Sequence, residues 1–308
     1  MHIDGEMVWR KAIPLDRDRR QSQALALGAG AVLAALSVQT VAIAYSLAER
    51  FPAFVFGAFG ISVFFAMVVF ALRAATGAGA ACGAMVCLLL TIWTGSYLGS
   101  LLRTGLTPLI LLFLLTFVAT RTGRQRKTKA GLAEKRRGRN AAQVLANLAV
   151  PAASSSLMGI AILLGWLPHT LHGHDVPLRL VGAVALAALA EATADTVSSE
   201  IGQAFGGRPL MLTTLRRVEP GIDGAVSLMG TAAGVVAGAA VVWAGWWALR
   251  LGIREASIAL LAACAGLFFD SLLGATVERR GWLGNDVVNF ASTLFAAIVA
   301  LGLLIALP

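Results

Sequence analysis

The sequence predicts an all-α, polytopic membrane helical bundle of about nine transmembrane helices. Its 308 residues are 58% hydrophobic and only 13% charged, where a soluble domain carries about 25% charged residues. The mean hydropathy is +0.79. Several apolar stretches reach or approach the roughly 20 residues that cross a bilayer as a helix. The alternating segments of about 10 residues that mark a transmembrane barrel do not occur.

Taken in chain order, spans are expected at 24–48, 52–74, 78–102, 105–120, 141–166, 178–200, 222–249, 256–278 and 287–307. The first is too long for a signal-peptide core and reads as an uncleaved first helix. The third contains Cys82 and Cys87, and the eighth contains Cys264. Set in apolar runs, these thiols read as small buried hydrophobes. They share no metal-ligand spacing with histidine and form no disulfide framework. The fourth span is short. The fifth carries Gln143 and Asn147 four residues apart, a spacing suited to hydrogen bonds between helices. The sixth is unusual, because Glu191, Asp195 and Glu200 fall within it or at its end. An ionised side chain in hydrocarbon costs about 3 kcal/mol on insertion scales, so such groups usually bind a metal, a proton or a polar substrate. The eighth span buries Asp270, and the ninth opens at Asn285 and Asp286. The 33 glycines serve mostly close helix packing.

Charge divides the chain further. Residues 1–23 form a basic arm, 24–120 the first four spans, 121–140 a basic loop and 141–308 a motif-bearing bundle. Residues 121–139 hold nine Lys or Arg and one Glu. Placing the arm and this loop in the cytoplasm leaves only Arg50, Arg103, Arg179, Arg250 and Arg254 outside, five of the 25 Lys and Arg. The asymmetry predicts a cytoplasmic N-terminus, an external C-terminus and, in a bacterium, residence in the inner plasma membrane. Loop 121–139 is expected to contact anionic headgroups. Without interleaved aromatics it does not read as a nucleic-acid site. His169, His172 and His174 form a short tract on the external side, a plain loop or an adventitious metal binder.

Three stretches gather the polar chemistry. Glu191 and Asp195 share a helix face, with Ser198 and Ser199 close by and Glu200 nearer water. Residues 206–231 supply Arg208, Arg216, Arg217, Thr213 and Thr214, then Gly221, Asp223, Gly224 and Ser227. A glycine-rich turn that opens a helix can cradle phosphate. Residues 268–289 supply Asp270, Glu278, Arg279, Arg280, Asn285, Asp286 and Asn289. Asp195-Thr196 and Asp270-Ser271 are each followed by a carboxylate, a basic loop and an Asp at a helix start, a weak internal repeat of the kind found in membrane proteins. Carboxylates, arginines and glycine-rich loops on one side of the membrane suit a magnesium–phosphate ligand. No GxxxxGK[ST] loop, kinase glycine loop or CDP-alcohol phosphotransferase pattern is present.

GRNAAQVLANLAV (138–150), ATADTVSSEIG (192–202), PLMLTTLRRVEPGIDGAVSLMGT (209–231), DSLLGATVE (270–278) and NDVVN (285–289) resemble the ordered motifs of domain-of-unknown-function family 92. That integral membrane family includes transmembrane protein 19 and the plant phytyl-phosphate kinase. The likeness spans residues 50–308, with Val197 where the family commonly has Trp. It implies phosphoryl transfer from a nucleotide, CTP, to an isoprenyl monophosphate. Its motif residues here are Asp195, Ser199, Glu200, Thr214, Gly221, Gly224, Ser227, Asp270, Ser271, Asn285, Asp286 and Asn289, and it leaves their individual roles open. The expectation is a Mg²⁺-dependent kinase acting on a prenyl-type lipid phosphate at the cytoplasmic face. Asp195 and Asp270 would serve the metal, Glu200, Asp286 and Asn289 would complete the polar site, and Arg216 and Arg217 would hold phosphates. An ion-coupled transporter using the same carboxylates and a non-catalytic membrane protein stand as alternatives.

Overall fold

The computed structural model describes residues 13–95, 100–132, 138–156 and 176–307. It is a bundle of ten α-helices among the described residues. They are α1 (Leu15–Arg50), α2 (Pro52–Ala71), α3 (Gly77–Trp93), α4 (Leu106–Arg121), α5 (Arg124–Lys129), α6 (Ala141–Ser155), α7 (Val176–Phe205), α8 (Leu228–Leu249), α9 (Ile253–Leu273) and α10 (Asn285–Ala306). Each of the nine expected segments overlaps one of these helices. Six of them, α1, α2, α7, α8, α9 and α10, are long and apolar enough to cross a membrane, while α3 and α4 are shorter apolar helices. The fifth expected span is described only as far as Ser155, and the histidine tract lies outside the described residues. Cys82, Cys87 and Cys264 are free thiols.

Helix α7 is the axis of the bundle. Its apolar span is 94% buried, against 17% for that of α1, and it touches α4, α6, α8, α9 and α10. Its closest neighbour is α8, whose Gly230, Gly234 and Gly238 face the α7 backbone. A Cβ on Gly230 would stand 2.5 Å from the Ser198 carbonyl oxygen, and one on Gly238 would stand 3.2 Å from that of Ala190. Small residues at four-residue spacing let two helices approach this closely. The contact fixes the stretch of α7 that holds Glu191 and Asp195.

Boundaries moved where polar or glycine geometry overrides apolar length. The seventh span was expected from 222, but α8 starts at Leu228 with Ser227 as its N-cap, accepting from the Gly230 N–H at 3.1 Å. Residues before it are held as a loop by a two-stranded antiparallel pair, β1 (Leu210–Met211) with β2 (Ala225–Val226). Gly224 sits at φ +73°, and a Cβ on Gly274 would stand 2.7 Å from the Gly224 nitrogen. This close crossing ties the loop to the π-helical turn Gly274–Glu278 at the end of α9. Part of the basic loop is helical, as α5. Gln143 and Asn147 bond within their own helix rather than between helices. Gln143 closes a capping box with Asn140, and the Asn147 amide donates to the Gln143 carbonyl at 2.9 Å.

The start of α1, the ends of α2, α4, α7 and α9, and the start of α10 gather at one end of the bundle with the described part of the basic loop. The Arg17 guanidinium donates to the Gly281 carbonyl at 2.9 Å, the Gln21 amide to that of Trp282 at 2.8 Å, and Ser22 Oγ to Asp286 Oδ2 at 2.7 Å. At the opposite end lie Arg50, Arg179, Arg250, Arg254 and Arg103, the last stacked 3.8 Å over the Trp247 ring.

Candidate functional site

Asp195 from α7 and Asp270 from α9 meet carboxyl to carboxyl inside the bundle. Glu191 and Glu278 add negative charge toward Asp270, and Ser292 of α10 lies beside both Glu191 and Asp270. Glu191 is fully buried. Among the described residues, both of its carboxylate oxygens and Asp270 Oδ1 are without a hydrogen-bond partner. Asp195 stands ten residues before the end of α7 at Phe205, roughly 15 Å at about 1.5 Å per residue. Asp270 lies three residues before the end of α9. The pair therefore sits toward the basic end of the bundle.

Two facing carboxylates in a low-dielectric setting call for positive charge. Arg139 supplies one source, since its charge acts on Asp195 and its guanidinium donates to Thr196 Oγ1 at 3.4 Å. The local backbone puts it there. Residues 138–140 run alongside 74–76, with the Thr76 N–H donating to the Arg139 carbonyl at 2.9 Å and the Arg139 N–H to the Ala74 carbonyl at 2.8 Å. Gly138, at φ +72°, makes the approach possible, because a Cβ there would stand 2.8 Å from both the Ala75 nitrogen and the Arg73 carbonyl oxygen. Asn140 then caps α6. The triplet Gly138-Arg139-Asn140 is thus a turn, a cation and a helix start.

Arg139 also borders a cavity of about 350 Å³ between α2, α3, α4, α6 and α7. One side is apolar, with Phe65, Leu112, Phe113, Val144 and Leu148; the other carries Arg73, Arg121, Arg124, Lys127, Arg139 and Glu200. Glu200 forms an ion pair with Lys127, and the Lys127 ammonium also donates to the Thr120 carbonyl at 3.0 Å. Phe65 and Phe113 meet edge to face at 5.5 Å, and the Arg121 guanidinium donates to the Leu72 carbonyl at 3.1 Å.

Of the residues singled out from sequence, the structure joins Asp195 with Asp270 and sets Glu200 at the cavity. Asp286 bonds to Ser22 of α1. Ser227 caps α8. Ser271 Oγ donates to the Leu267 carbonyl at 3.3 Å, and the Asn289 carbonyl accepts from the Ser292 and Thr293 hydroxyls. Gly221 and Gly224 shape the loop before α8 at positive φ. Ser199, Thr214, Arg216, Arg217 and Asn285 are exposed, and none of them borders the cavity. Sequence reasoning missed Arg73, Arg121, Arg124 and Arg139 as site residues and read them only as charges that set topology. Arg139 carried a usable signal, since Gly and an N-capping Asn flank it. Among the described residues, no three His, Cys, Asp or Glu are disposed to hold a metal ion. Magnesium needs only one or two carboxylates beside water and phosphate oxygens. The Asp195–Asp270 pair with its unpartnered Oδ1 fits that requirement.

An all-α integral membrane protein with a half-buried carboxylate pair beside a basic, apolar-backed cavity is the class these features define. The family follows from comparison: the model for the integral membrane protein family DUF92 matches residues 60–297, and the chain belongs to that family. An uncharacterized membrane protein of Synechocystis is 32% identical over 200 residues, 65% of this chain and 73% of its own length. One of Methanocaldococcus jannaschii is 38% identical over 114 residues, 37% of this chain and 48% of its own. The chloroplastic protein VTE6 of Arabidopsis thaliana is 29% identical over 192 residues, 61% of this chain and 55% of its own. The chain thus spans about half the length of the last two relatives. No solved structure matches it.

Proposed function

We propose that this protein is a membrane-embedded lipid-phosphate kinase. It transfers the terminal phosphoryl group of a nucleotide, CTP, to an isoprenyl monophosphate at the cytoplasmic face, with its N-terminus inside and its C-terminus outside. The observation that carries this reading is the Asp195–Asp270 pair, drawn from two separated motifs, with Arg139 beside it. Family membership and the likeness to VTE6 support it.

In the proposed reaction an oxygen of the lipid monophosphate attacks the γ-phosphorus. The bond from that phosphorus to the bridging oxygen breaks, and CDP leaves with the electron pair. The dianionic acceptor needs no base, so positioning and charge neutralisation dominate. Asp195 and Asp270 would hold Mg²⁺, which draws charge from the nucleotide phosphates when bound. Arg139 offers a planar fork to a phosphate oxygen while it balances Asp195. Glu191 and Glu278 add negative charge beside the pair, and Ser292 lies next to Glu191 and Asp270. The exposed Arg216 and Arg217 lie on the loop at the same end of the bundle, where a nucleotide arrives from water.

The test is direct. Purified protein with CTP or ATP, Mg²⁺ and geranylgeranyl or phytyl monophosphate should yield the diphosphate, and Asp195→Asn should not. Failure of the wild type with every such pair would remove the reading. One observation favours an ion-coupled carrier instead: Glu191, near the middle of α7, is fully buried with both oxygens unpartnered among the described residues. Proton- or sodium-driven flux in proteoliposomes, abolished by Glu191→Gln, would establish it.

A further inference from the structure

We infer that the cavity between α2, α3, α4, α6 and α7 is the binding site of a single-chain lipid monophosphate, its headgroup held by Arg124, Arg139 and Arg73 and its tail lying against Phe65, Phe113 and Val144. This rests on the kinase reading for the lipid's role as acceptor, but the site itself stands on its own shape and charge.

The volume of about 350 Å³ falls within the range of about 300–1,000 Å³ for small-molecule sites. Its lining is divided end to end. Five cationic side chains border it and only one anionic one, Glu200, which Lys127 already neutralises. Four guanidiniums therefore face the cavity against no unbalanced acid of its own lining. A phosphate monoester carries up to two negative charges and three free oxygens, and arginine meets such oxygens in a planar, bidentate fork. The opposite wall is mostly hydrocarbon and aromatic rings; its polar members Thr116 and Asn147 donate to the Leu112 and Gln143 carbonyls of their own helices. Inorganic phosphate would leave that wall uncovered, and a neutral lipid would leave the cations unmatched.

Access matches a lipid as well. Helices α2 and α4 flank the cavity without close backbone packing. They are bridged at depth by Phe65 against Phe113 and at the basic end by Arg121 against the Leu72 carbonyl. Leu72, which lines the cavity at this seam, is exposed to the bundle's surroundings. A chain sliding from the bilayer would pass between these helices. Moving a tail from one hydrocarbon setting to another yields little free energy, so the headgroup sets the affinity and the cavity walls set the permitted tail. Arg139 borders the cavity and also acts on Asp195, which places the bound phosphate next to the carboxylate pair.

The experiment is equilibrium binding of radiolabelled geranylgeranyl monophosphate to the purified full-length protein in nanodiscs without nucleotide. Saturable binding is expected. It should be displaced by unlabelled geranylgeranyl monophosphate but not by geranylgeraniol, inorganic phosphate or phosphatidic acid at the same concentration. Arg124 is exposed, so Arg124→Gln should leave the fold intact while weakening binding about tenfold, equivalent to about 1.4 kcal/mol. Gly83→Leu, which adds bulk beside Phe65, should weaken it by a similar factor, whereas Asp195→Asn should still bind. Equal displacement by phosphatidic acid or inorganic phosphate overturns the assignment, as does wild-type binding in both Arg124→Gln and Gly83→Leu. Binding with this pattern in a protein that transfers no phosphoryl group keeps the site and removes the kinase. Turnover with an unchanged KM in both variants keeps the kinase and removes the site.

Discussion

Lys127 leaves the basic segment after α4 and closes an ion pair with Glu200 of α7, with side-chain exposures of 3% and 14%. One short contact thus couples the basic run after α4 to the motif helix. Lys127 additionally caps the end of α4 through the Thr120 carbonyl.

Lys127→Met should therefore be strongly destabilising. Removing one partner of a buried pair costs about 3–5 kcal/mol, because the other charge is left uncompensated. Replacing both, as Lys127→Met with Glu200→Leu, should recover much of that loss. Thermal unfolding in detergent reads both, and a single variant as stable as the parent would show that water already solvates the pair.

Asp195→Asn and Asp270→Asn should separate stability from activity. Each relieves the apposition of two carboxylates, so the melting temperature should hold or rise. Phosphoryl transfer should fall by about a hundredfold or more, the scale expected for removing one charge-stabilising group. Equal activity in either variant would dismiss the pair as catalytic.

Magnesium should raise the melting temperature of the wild type, since a ligand that binds only the folded state stabilises it by mass action. Asp270→Asn should lose that increment, and chelation should abolish turnover. A magnesium-induced shift that persists in Asp270→Asn places the ion elsewhere.

Gly138→Ala should damage both fold and site. Its φ of +72° and the 2.8 Å approach to Ala75 and Arg73 leave no room for a methyl group. Strain of this kind costs about 1–3 kcal/mol, and relaxing it would withdraw Arg139 from Asp195. Lower yield with reduced activity is the expected pair of results; normal yield and activity would mean that the turn tolerates a side chain.

Glu191→Met removes a fully buried carboxylate that lacks a hydrogen-bond partner among the described residues. Leaving such a group unsatisfied costs about 1–3 kcal/mol or more, so the variant should be more stable in apo form. A less stable variant would mean that Glu191 holds a bound partner in the native protein.

Much of the bundle was readable because helix crossing imposes a simple length and polarity rule. Each expected segment overlaps a helix, and six of those helices are long and apolar enough to cross a membrane. The same rule singled out Asp195 and Asp270, because charge inside an apolar run is rare whatever its partners. What it could not supply was partnership. Arg139 and Arg136 look alike as charges in a basic loop, and only the backbone pairing of 138–140 with 74–76 turns Arg139 toward α7. Arg216 and Arg217 precede a glycine-rich turn in the sequence, yet they are exposed, on a loop whose backbone bridges Arg217 to Leu210 of β1. The seventh helix start was misjudged because Gly221 and Gly224 adopt positive φ before Ser227 can cap α8. Asp286 was expected among the site carboxylates; its hydroxyl partner Ser22 lies on α1, outside the family match at 60–297, where motif reasoning has no purchase.

That last contact governs how the molecule is made. Arg17, Gln21 and Ser22 at the start of α1 find their partners at Gly281, Trp282 and Asp286, more than 250 positions further along the chain. At synthesis rates of about 5–20 residues per second, α1 waits roughly ten seconds to a minute for them. During that interval its polar end must be served by water and lipid headgroups, and its neighbours in the membrane are whatever spans have already emerged. The turn before α10 and the start of α10 seat the beginning of α1, so a segment made early is closed in by one made long after it.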